Sequence, residues 1–143
     1  MVGGSDDPAV LRSIAVTADD LVAALAARRR TNRRTVLRVT PPFSGRMRAR
    51  LHEATDEPTG YPAPIHVEPE SLIADDAPAY PTPAETEDEL RADPNAEYTP
   101  ERHRERHEQA VAAWRERIPA HVVDAVVVET PAGRREVAVA LLG

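Results

Sequence analysis

Apolar and polar residues alternate without a break at residues 46–52, RMRARLH. In an extended chain, Met47, Ala49 and Leu51 point one way and Arg46, Arg48, Arg50 and His52 the other. The preceding TVLRVT (35–40) is β-branched and reads as a strand, and PPFSG (41–45) as a turn. Together they predict a hairpin. A five-residue turn centred on Phe43 sets Arg38 opposite Arg48, with Met47, Ala49 and Leu51 facing the core. VLRSIAV (10–16) predicts a further short strand.

Helical patterns flank these strands. Thr17 reads as an N-cap, with Asp20 three residues on and Asp19 adding charge that favours the helix start. The helix is expected over 18–30, with Ala18, Leu21, Val22 and Leu25 on one face and Arg28, Arg29 and Arg30 in its last turn. Thr99-Pro100-Glu101 is a second helix start, joining an N-cap, a proline at the first position and an early acid. That helix should run to about Arg117 and stop before Pro119. His107, Ala110, Val111, Trp114 and Ile118 share a face, with Trp114 as the main aromatic anchor. HVVDAVVVE (121–129), the turn TPAG and RREVAVALL (134–142) read as a second hairpin, with Val137, Val139 and Leu141 inward.

Between Ala54 and Thr99 the periodicity dissolves, and nine of the fourteen prolines lie between Pro58 and Pro100. An extended piece in YPAPIHVEP and one helical turn at Ser71–Ala74 are the only elements expected there. The implied fold is α+β, one domain over 1–143. It has an antiparallel or mixed sheet of about four to five strands, two helices on one face, and a long acidic Pro-rich loop segment over 54–99.

Composition narrows the chemistry. The chain has no cysteine, which excludes disulfides and thiolate metal sites. All 18 basic residues are Arg, set against 24 acids, for a net charge of −6. Acid excess without Lys suits a salt-adapted or GC-rich origin. MVGGSDDPAV lacks the basic and apolar regions of a signal peptide, and no apolar run approaches the roughly 20 residues that span a bilayer. A cytoplasmic protein with no membrane partner is expected.

The charge is segregated. Leu21–His52 holds nine Arg and no acid, whereas Glu53–Glu101 holds fourteen acids and one Arg, Arg91. Arg grips phosphate bidentately and stacks on bases. Arg28, Arg29, Arg30, Arg33, Arg34, Arg38, Arg46, Arg48 and Arg50 therefore form a candidate footprint for a nucleic-acid backbone. The opposing reading makes them a solvated sheet face, neutralised by the acidic segment folding over it. At molar salt the Debye length is about 3 Å, so any such face must work by direct contact. Phe43 is the one aromatic the turn offers for stacking.

His103 and His107 stand at i, i+4, a spacing that lets two imidazoles share a metal. The motif is HRERH rather than HExxH, and the flanking Arg102, Arg104 and Arg106 disfavour a cation, so no metal is expected. Carboxylate pairs at Asp75/Asp76 and Glu87/Asp88/Glu89 lie in the Pro-rich segment, where nothing predicts the desolvation an acid catalyst needs. No nucleophile motif or phosphate-cradling Gly loop is present. Neither catalytic residues nor a cofactor are expected.

With LRVTPPFSGRMRARLH, TPAETEDELR and the terminal AHVVDAVVVETPAGRREVAVALLG, the whole chain resembles small haloarchaeal proteins of a domain-of-unknown-function family. The resemblance implies an origin and a cytoplasmic compartment, and no activity. The expected function is a non-enzymatic nucleic-acid-associated module meeting RNA or DNA backbone through the arginines. The alternative is a protein-interaction or assembly subunit using residues 58–98 and a sheet edge.

Overall fold

In the computed structural model, which describes residues 4–31, 33–55 and 57–143, the chain divides into two compact units. One comprises Met1–Asp75 with Val122–Gly143, the other Asp76–His121. The class is mixed α+β, with three α-helices and two sheets of four and three strands among the described residues.

The first unit begins with β1 (Ser13–Thr17) and α1 (Ala18–Arg30). Thr17 caps α1, its hydroxyl accepting from the Asp20 amide at 3.1 Å. Leu21, Val22, Ala24, Leu25 and Ala26 form the buried stripe of α1. Six strands follow among the described residues of this unit: β2 (Arg34–Val39), β3 (Arg46–Arg48), β4 (Arg50–Ala54), β5 (Ile65–Val67) and the hairpin β6 (Ala125–Thr130) with β7 (Gly133–Leu142). The four-stranded sheet runs β3-β1-β7-β6, with β1 parallel to both neighbours. The three-stranded sheet runs β4-β2-β5 and is antiparallel.

The expected 35–40/46–52 hairpin is therefore only half right. The run 46–52 is broken at Ala49, whose amide donates to the Ala15 carbonyl at 2.9 Å. Residues before Ala49 pair with β1 and residues after it with β2. Arg38 consequently faces Arg50, not Arg48. Ala49 is buried as expected, but Leu51 is 41% exposed, and Met47 and Arg48 are both half-buried. Alternation describes each short strand, and the switch of sheets interrupts it. Phe43 is not a free aromatic either. It is 1% exposed and pairs with Ser5 through two backbone bonds of 2.6 and 2.7 Å. The approach is close enough that a Cβ on Gly4 would lie 2.5 Å from the Phe43 carbonyl oxygen.

The β6–β7 hairpin follows the expected pattern. Its turn places Gly133 at φ +107°, where only glycine is unstrained. Val126, Val128 and Val137 are buried, and join Ile14, Val16, Leu21, Leu37, Val39 and Ile65 as core. Thr35 binds α1 to β2, its buried hydroxyl donating to the Ala24 carbonyl at 2.8 Å.

Residues 54–99 are more regular than the proline count predicts. They hold β5, a 3-10 turn at Pro69–Leu72 rather than Ser71–Ala74, and α2 (Pro83–Ala92). The start of α2 is a capping box at Thr82-Pro83-Ala84-Glu85. Thr82 Oγ1 accepts from the Glu85 amide at 3.2 Å and donates to its carboxylate at 2.7 Å. In the second unit, α2 lies with α3 (Pro100–Arg117). Trp114, 4% exposed, packs edge-on to Tyr80 at 4.9 Å and donates to the Pro78 carbonyl at 3.1 Å.

Candidate nucleic-acid interface

All nine arginines of the basic block lie in the first unit, but the fold sorts them into groups with different electrostatics. At the C-terminal end of α1, Arg28, Arg29, Arg33 and Arg34 line an open depression of about 430 Å³ together with Thr31 and Glu70. Here the acidic segment supplies partners. Arg28 binds Glu68 and reaches Glu70 at 3.0 Å, and its Nε donates to the Thr35 carbonyl. Arg34 binds Glu68 at 2.5 Å and Glu57 at 3.3 Å, and Arg33 reaches Glu53 at 3.4 Å. Burial pushes the Glu68 carboxyl up, but hydrogen bonds from Arg34 and Arg28 outweigh it and hold it below the usual range. Its own bond to Glu68 pushes the Arg34 guanidinium further up. Arg29 and Arg30 are exposed and have no ion pair among the described residues.

The second group sits on strands. Arg38 on β2 stands between Arg50 on β4 and His66 on β5, one residue from each strand on a single rung of the ladder. Arg46 and Arg48 on β3 stand beside Ser13 and Ala15 of β1, which in turn oppose Ala138 and Ala140 of β7. Among the described residues none of these four arginines has a carboxylate within ion-pair distance, and the side-chain hydrogen bond of Arg38 goes instead to His52. An arginine only donates, so the His52 ring nitrogen at 3.1 Å is the acceptor of this bond. The His52 and His66 rings lie 5.5 Å apart. Nε of Arg38, Nε of Arg48 and both ring nitrogens of His66 are buried with no hydrogen-bond partner among the described residues. Burial first, then the charges of Arg38 and Arg34, hold the His66 imidazolium below its usual range, with Glu57 opposing.

The structure thus brings Arg38 and Arg50 together, leaves Arg46 and Arg48 on the neighbouring sheet, and binds Arg28, Arg33 and Arg34 to carboxylates. His52 already pointed with the arginines in the alternation of residues 46–52. His66 did not stand out, since a single histidine among prolines carries no periodic signal.

The histidine pair of the second unit has a structural role. Thr86, 2% exposed on α2, holds its hydroxyl 3.0 Å from His103 Nε2 and 3.1 Å from His107 Nδ1, and His103 also donates to the Pro83 carbonyl at 2.9 Å. The pair thereby fastens α3 to α2. No group of three or more metal-ligating side chains is found among the described residues, and no helix there is long and apolar enough to cross a membrane.

No curated protein and no solved structure matches this chain. One family model does, over residues 1–143, and the chain accordingly belongs to the family described as a domain of unknown function, DUF8009.

Proposed function

We propose that this protein is a non-enzymatic binding module that meets the phosphate backbone of RNA or DNA, in the cytoplasm of a salt-adapted archaeon. The contact surface is Arg38, Arg46, Arg48 and Arg50, extended by Arg29 and Arg30 at the end of α1. One observation carries the reading: Arg38 stands directly opposite Arg50 with no carboxylate to neutralise either among the described residues. Like charges opposed across a ladder cost a few tenths of a kcal/mol or more. A chain with fourteen acids in the adjoining segment has the means to relieve that cost. It spends Glu53, Glu57, Glu68 and Glu70 on Arg28, Arg33 and Arg34 instead. An arginine row kept clear of its own acids suits an anion from outside. The engagement of those four carboxylates also favours this reading over a protein-docking role for the acidic segment.

The test is a gel shift with mixed RNA and DNA oligonucleotides over a salt series. Six phosphate contacts at a slope of about −0.9 each give a total near −5, so affinity should fall roughly a thousandfold between 50 and 200 mM salt. Arg46/Arg48/Arg50→Ala should flatten that slope to about −3 and lower the 260/280 nm absorbance ratio expected of the purified wild type. Absence of binding at low salt, or an unchanged slope in the triple variant, overturns the proposal.

A further inference from the structure

We propose that the rung Arg50–Arg38–His66, with His52 against it, is a seat for one tetrahedral oxyanion of the phosphate-monoester class. This goes beyond backbone binding, because a discrete seat for a single dianion does not require a polymer.

Three buried nitrogens without partners lie on two neighbouring residues of the rung: Arg38 Nε and both ring nitrogens of His66. Buried polar atoms are paired in the great majority of cases, and an unpaired group calls for an explanation such as a bound ion. Here the orphans cluster. Val36, one step along β2 on the same face, is fully buried, so the rung borders a dry surface where a charge-assisted hydrogen bond is strong.

The chemistry selects the occupant. Arg38 and Arg50 supply two positive charges, which match a dianion. Neighbouring strands lie about 4.8 Å apart, so Arg50 and His66 reach the anion from either side of Arg38. Donors arriving from three directions suit a tetrahedral group with three or four oxygens. A planar carboxylate is satisfied by one arginine fork. His52 accepts from Arg38 Nη1 and holds the guanidinium in place, leaving Nε–H free to donate. Burial, and then the charges of Arg38 and Arg34, disfavour protonation of His66 in the empty seat, and Glu57 opposes them. A dianion beside it reverses that balance, so the seat takes up a proton as it fills.

The experiment is an NMR titration of the His52 and His66 ring signals in the full-length protein. The probes are inorganic phosphate, an oligonucleotide with a 5′-phosphate, and the same oligonucleotide with a 5′-hydroxyl. Saturable shifts of the His66 ring with inorganic phosphate, and a rise in its titration midpoint, support the seat with free phosphate as its source. A response confined to the 5′-phosphorylated oligonucleotide supports it with a nucleic-acid end as source. Arg50→Gln, at an exposed position, and Arg38→Gln should each weaken the response at least tenfold, with folding checked by circular dichroism. Failure of His66 to respond to either phosphate, or a response undiminished in both variants, overturns the inference. Phosphate binding without any binding of the 5′-hydroxyl oligonucleotide would keep the seat and discard the backbone reading.

Discussion

Glu68→Gln removes the carboxylate that ties the end of α1 to the start of β2 through two arginines. Breaking a fully buried pair costs 3–5 kcal/mol, and an exposed pair contributes about 0–1 kcal/mol. Glu68 lies between these limits: its side chain is 43% exposed, while that of Arg28 is 20% exposed. Each arginine also keeps a second partner, Glu70 at 3.0 Å for Arg28 and Glu57 at 3.3 Å for Arg34. The expected loss is therefore about 1–2 kcal/mol at pH 7 and low salt, or roughly 3–6 °C in Tm for a chain of this size. The pH dependence has a definite sign. The Glu68 carboxyl titrates lower in the folded protein than in the unfolded chain. Its stabilisation is complete above the unfolded value and lost as pH falls through the folded one. The gap between wild type and variant should thus be full at pH 7 and narrow progressively as pH falls below the ordinary glutamate value of about 4.3. Thermal unfolding followed by circular dichroism reads both. A variant as stable as wild type at pH 7, or a gap that does not narrow as pH falls from 5 to 3, refutes the bridge. With the bridge gone the depression at the end of α1 gains positive charge, and oligonucleotide affinity should rise.

Trp114→Ala should cost about 3–5 kcal/mol, the range for emptying a buried aromatic site, read as lost amide protection in α2 and α3. Thr86→Val leaves the helices in place but strips His103 and His107 of their shared hydroxyl; a loss of about 1–3 kcal/mol in urea unfolding is expected. Thr35→Val should lower stability by about 1 kcal/mol, because the Ala24 carbonyl loses its extra donor, and an unchanged urea midpoint would remove that tie from the account. His66 titrates lower when folded, so the unfolded chain binds more protons in the acid range and stability falls as pH drops below about 6.5. His66→Gln should flatten that part of the curve relative to wild type.

Local signals in the sequence determined a good deal. The caps at Thr17 and Thr99 place α1 and α3 because a hydroxyl three residues ahead of a free amide acts within one turn, whatever surrounds it. The β6–β7 hairpin is legible for a similar reason, since alternation and its turn residues lie within a few residues of each other. The start of α2 was legible too: Thr82-Pro83-x-Glu85 carries the same elements as Thr99-Pro100-Glu101, and the density of prolines obscured it. What only the tertiary structure decided is pairing. RMRARLH reads as one strand with one partner, yet β1 and β2 divide it at Ala49, because the amide there finds its acceptor on a residue 34 positions earlier in the chain. That division moves Arg38 from Arg48 to Arg50 and brings in His66 from the proline-rich segment. The same holds for charge. Composition shows a basic third beside an acidic third, but only strand register and the placement of Glu53, Glu57, Glu68 and Glu70 decide which arginines meet carboxylates. Coulomb attraction between side chains depends on distances of a few ångströms, and sequence separation does not carry that information.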